Sequence, residues 1–133
     1  MQKVKTYRPT KTITLQRGWV NPETREAHRV VTVRAQLMGD EMAAERTLRE
    51  FAREPIGSAE RNLAESQTGE LILSTTRCIT SWEGLPGFNF THVETLTRTD
   101  YRTLATAIQK LDEPDFEDEK TGDVVDAGEV DPK

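Results

Sequence analysis

A chain of 133 residues, 35% hydrophobic and 31% charged, has the length of one domain and a core that is small relative to its surface. Its net charge of −5 is lopsided: residues 1–111 carry 16 Lys/Arg and 13 Asp/Glu, whereas residues 112–133 carry 2 Lys and 10 Asp/Glu. No apolar run nears the ~18 residues of a bilayer span and none follows the basic start as a secretory signal requires. The single Cys78 excludes an internal disulfide framework and fits a reducing cytoplasm.

Residues 1–10 read as a flexible lead-in broken at Pro9, and residues 11–111 as one small α+β domain. Lys11–Gln16 alternates Ile13 and Leu15 with polar neighbours, which predicts a half-buried strand. Gly18, Asn21 and Pro22 punctuate a polar loop over 17–27. His28–Arg34 is the second strand, with Val31 and Val33 on one face, so 11–34 forms a two-stranded hairpin. A lone hairpin is marginal in water and needs a helix on one face or a partner along an edge, so homo-oligomers are possible.

Gly39-Asp40 opens a helix over about 41–53, with Asp40 as N-cap. Ala44, Leu48 and Phe51 share its apolar face, and Pro55 ends it. Ser58 caps the next segment. Either two pieces meet at Gly69 or one helix crosses it, at a cost of ~1 kcal/mol relative to Ala. Leu71, Thr75, Cys78, Ile79 and Trp82 keep helical spacing, which favours a single helix over 58–82. Glu83–Gly87 is a break, and Phe88 and Phe90 follow in a short extended piece.

The strongest helix signal covers about 98–111. Tyr101, Leu104, Ala105, Ile108 and Leu111 form one stripe. Thr97 is placed as N-cap with Asp100 closing a capping box, and Leu96 with Tyr101 as a hydrophobic staple. From Asp112 the sequence turns acidic and poor in apolar residues, the composition of a disordered tail over 112–133. Phe116, Val124 and Val125 are its exceptions and could make short contacts.

No stretch carries a catalytic signature. Cys78, His28 and His92 are scattered, with no spacing that sets two metal ligands on one face. Cys78 lies on an apolar stripe, as a core residue would, and nothing supplies His92 and Cys78 with an orienting group or an oxyanion hole. Gly84–Gly87 is a Pro-stiffened turn with no phosphate-cradle pattern. No acid sits inside an apolar segment where burial would shift its pKa. Neither catalysis nor a cofactor or metal is expected. Lys3, Lys5, Arg8, Lys11 and Arg17, with Tyr7 and Trp19, give a basic, aromatic start, but the domain's small positive charge argues against nucleic acid as a partner. Pairing of the basic start with the acidic tail is the simpler use of both. What remains is apolar surface: Trp82, Leu85, Phe88 and Phe90 around the 84–87 turn are candidate partner-binding residues, with Leu48 and Phe51 as a second patch.

Several strings share a layout with a known family. Arg34–Glu45 reads RAQLMGDEMAAE after the two strands; Arg77-Cys78-Ile79 closes the middle helix; Gly84-Leu85-Pro86 makes the turn; and Leu96–Leu104 reads LTRTDYRTL. Over about 11–111 the chain resembles the tail assembly chaperones of long-tailed phages and prophages, of the Mu-like and P2-like kind. The loop 17–27 and the acidic extension depart from that pattern. The resemblance implies a non-enzymatic protein of the bacterial host cytoplasm, absent from the mature virion. Its partners would be the helical tape measure protein and the tail tube protein. The rival expectations are a tail or baseplate adaptor retained in the particle, and a small nucleic-acid-binding regulator.

Overall fold

The computed structural model describes residues 9–112. The lead-in as far as Arg8 lies outside them, as do the tail from Glu113 onward with Phe116, Val124 and Val125, and the pairing expected between the two ends. The fold is α+β. Among the described residues there are three strands, β1 (Thr10–Val20), β2 (Ala27–Arg34) and β3 (Ile79–Trp82). Five helices accompany them: α1 (Met38–Phe51), α2 (Ala59–Glu65), α3 (Gly69–Arg77), α4 (Phe90–Glu94) and α5 (Arg98–Asp112).

The hairpin forms as its alternation predicts, with Leu15, Val31 and Val33 buried on the inner face and Ile13 packed beside them. The expected loop is shorter, because β1 runs on to Val20 and leaves a turn over 21–26. Asn21 organises that turn by accepting the Glu23 and Thr24 N–H groups at 2.8 and 3.2 Å. Pairing lapses between Thr14↔Val30 and Trp19↔His28, so Leu15, Gln16, Arg17 and Gly18 stand against Arg29 alone. Gly18 adopts φ +76°, and a Cβ there would lie 2.3 Å from the His28 carbonyl, so only glycine fits this bulge.

A third strand completes the sheet in the antiparallel order β1-β2-β3, which corrects both the two-stranded hairpin and the single helix over 58–82. That region divides into α2, α3 and β3. The chain leaves helical geometry at Ser66, and α3 restarts at the buried Gly69, where a Cβ would stand 2.5 Å from the Leu63 carbonyl and 3.0 Å from Leu48. The helical spacing of Ile79 and Trp82 has another origin. Val33↔Ile79 and Thr32↔Ser81 leave Thr80 without a partner, and this bulge turns residues three apart to the same core face. A period of three in four residues therefore imitates a helix.

α5 packs across β1 and β2, and Leu104, Ala107 and Ile108 join the sheet's inner residues, Cys78 and Val93 in the main core. Tyr101, Ala105 and Leu111 are half-buried at its margin, so the predicted stripe is the face that packs. A smaller cluster of Ala44, Leu63, Leu73 and Phe90 joins the helices, with Leu48 and Phe51 against it. Phe90 begins the short helix α4, where an extended piece was expected; Asn89 caps it, accepting Thr91 N–H at 2.9 Å.

Two predicted caps are half right. α1 starts earlier, at Met38 with Leu37 as N-cap, so Asp40 is the third residue of the helix and its carboxylate accepts the Leu37 N–H at 2.8 Å. α5 does use Thr97, whose hydroxyl accepts the Asp100 N–H at 3.1 Å. Asp100, however, turns away from its own helix to the β1 bulge, accepting N–H groups from Gln16 (2.8 Å), Arg17 (3.0 Å) and Gly18 (2.8 Å).

Candidate docking groove

The six residues expected to form a contact surface belong to the interior or its margin. Trp82 and Phe90 are only 3% and 7% exposed, and Leu85 and Phe88 pack half-buried against the main core. Leu48 and Phe51 lean on the helical cluster, the Phe51 and Phe90 rings 5.6 Å apart. Trp82 is held further by its indole N–H, which donates to the His28 carbonyl at 3.0 Å. Trp82→Ala is therefore expected to cost about 3–5 kcal/mol of stability, read as a lowered denaturation midpoint, the range for emptying a large core site.

The exposed apolar side chains lie elsewhere. Met38 and Leu71 are 72% and 54% exposed, and Leu37 and Met42 also face solvent. At ~100° per residue, Met38 and Met42 stand roughly 120–160° round α1 from Ala44, so the stripe that packs inward leaves them free. They are one turn apart, a pattern that was readable once the helix and its buried face were assigned.

Leu37, Met38 and Leu71 rim a groove of about 630 Å³ between the start of α1, α3 and α5. Tyr101, Ala105 and Ile108 of α5 and Thr75 of α3 also line it. The Tyr101 and Thr75 hydroxyls bond each other at 2.9 Å, and burial raises the phenol's pKa, so these polar atoms are satisfied and uncharged at neutral pH. The charged side chains lining the groove, Glu41 and Asp112, are both acids. Gln36 reaches over to donate to Glu41 at 3.0 Å.

The groove keeps its shape because Asp40 locks α1 to β2 and α3. Its carboxylate is 2% exposed and accepts from Arg34 Nη1 and Nη2, each at 2.9 Å, and from Arg77 Nε at 3.0 Å. The Arg34 hydrogen bonds hold the Asp40 pKa far below the ordinary carboxylate range and raise that of Arg34. Cys78 Sγ lies 3.8 Å from the same carboxylate. Burial, reinforced by the Asp40 charge, pushes the thiol pKa up to about 11, so it stays protonated and poorly nucleophilic.

The two histidines come together, although the sequence separates them, in an aromatic cluster. His92 meets Trp19 edge-on at 4.6 Å between centroids, and Trp19 lies 5.9 Å from His28. Burial lowers the His92 pKa, and its Nδ1 accepts the Asn89 N–H at 3.1 Å, which requires the neutral ring. Among the described residues no group of three or more His, Cys, Asp or Glu could hold a metal, and no helix is long and apolar enough to cross a membrane.

No family model, curated protein or solved structure matches this chain.

Proposed function

We propose that this protein is a phage tail assembly chaperone that holds apolar helical segments of a tape measure protein in the groove between α1, α3 and α5, and so promotes tail tube assembly. What supports it is the exposed apolar rim of Leu37, Met38 and Leu71 around that groove. Amphipathic helices lay their apolar face into such grooves, and methionine's flexible, polarisable side chain adapts to varied partners. The strings that carry the family resemblance also contain the groove's framework: Arg34, Asp40 and Arg77 join α1 to its neighbours, and Thr97 starts α5.

Co-expression with a phage tape measure protein tests the reading. The client is expected to become soluble and to co-purify, and Leu71→Gln with Met38→Gln to reduce capture at least several-fold while leaving circular dichroism unchanged. Unchanged client solubility and no co-purification would end the chaperone reading. Detection of the chain in purified mature particles would favour the retained adaptor instead.

A further inference from the structure

We infer that the groove selects an amphipathic helix whose apolar stripe is flanked by Lys or Arg; this rests on reading the groove as a helix-binding site. The groove offers no free strand edge, since it lies between α1, α3 and α5. An extended peptide would lay unpaired N–H and C=O groups on Leu37, Met38, Leu71 and Ala105, whereas a helix brings its backbone already satisfied.

Charge then narrows the choice. Glu41 stands on the α1 wall and Asp112 at the end of α5, and neither Lys nor Arg lines the groove among the described residues. Asp112 also begins the acidic run: residues 113–133 carry 9 Asp/Glu and 2 Lys, a net of −7. The charges of Glu41 and Asp112 act over roughly one Debye length, ~10 Å at ~0.1 M salt. A helix with acidic flanks meets like charge on approach, and one with basic flanks is drawn in.

The test uses the full chain and three fluorescently labelled synthetic helical peptides. Two share one leucine stripe, flanked by Lys in the first and Glu in the second; the third keeps the Lys flanks but carries serine in place of leucine. In anisotropy titrations at low salt the Lys/Leu peptide is expected to bind at least ~10-fold more tightly than either other, with its lead over the Glu/Leu peptide shrinking as salt rises. Leu71→Gln should weaken it several-fold, and Glu41→Gln with Asp112→Asn should narrow the Lys-over-Glu preference, each variant keeping its circular dichroism. Equal binding of the Lys and Glu peptides overturns the inference. Equal binding of the serine peptide, or indifference to Leu71→Gln, also overturns it, because the attraction would then be to the acidic tail alone. A dimer that Leu71→Gln dissociates would assign the groove to a second copy, with the same effect. Peptide selectivity without capture of the tape measure protein would leave the inference standing and remove the chaperone reading; capture without selectivity would do the reverse.

Discussion

Asp100→Ala is expected to destabilise the domain by about 3–5 kcal/mol, a large part of the ~5–15 kcal/mol that a domain typically has. The side chain is fully buried, and its two oxygens receive three main-chain N–H groups where β1 leaves its ladder with β2. Each amide stripped of its acceptor costs about 1–3 kcal/mol unless water reaches it, and Gln16 and Arg17, nearer the surface, should recover more than Gly18. Asp100→Asn keeps the shape but puts an NH₂ where one acceptor oxygen was, so about half the loss is expected. Chemical denaturation of the three proteins measures this directly. A loss below about 1 kcal/mol for the alanine variant would mean that solvent satisfies the bulge. Because the bulge carries Trp19 toward His92, the near-ultraviolet dichroism of the tryptophans should change along with stability.

Asp40→Ala is the second large effect, also about 3–5 kcal/mol, because it leaves the Arg34 guanidinium mostly buried without its counter-ion. Asp40 also governs part of the acid response. Its pKa is lower in the folded protein than in the unfolded chain, so its contribution is fully present above the ordinary Asp value of about 3.9 and fades as pH falls below it toward the depressed folded value. The wild type should therefore lose stability between about pH 4 and pH 2 more steeply than Asp40→Asn, which has no carboxylate to protonate there. Parallel acid limbs for the two proteins would show that other carboxylates dominate. Since Asp40 also pairs with Arg77 and so ties α1 to α3, Asp40→Asn should also weaken the proposed helix binding in the groove without touching its lining.

Residues whose environment is local were legible before any tertiary structure. The α5 stripe of Tyr101, Leu104, Ile108 and Leu111, the Thr97 cap, and the inward Val31 and Val33 each follow from a period or a neighbour a few positions away. Local pattern misled where two geometries share a spacing. Ile79 and Trp82 are three apart in a helix-like way, yet it is the bulge at Thr80, set by pairing with β2, that points both inward. The aromatics near the 84–87 turn looked like contact anchors because hydrophobicity alone does not say which side of a turn faces the core.

Sequence by itself determined the α+β class, the hairpin, the first and last helices with their packing faces, and the split of charge between domain and tail, since these depend on periodicity, capping chemistry and composition. Only the tertiary structure decided which apolar residues stay outside. Trp82 and Phe90 are taken into the core, while Met38 and Leu71 are left on its rim, because burial depends on what packs against a side chain from far along the chain. The same holds for Asp40 and Asp100: each sits near a helix start, as its chemistry favours, but their partners come from β2 and α3 in one case and from β1 in the other. No local rule contains a hydrogen bond that spans 82 positions.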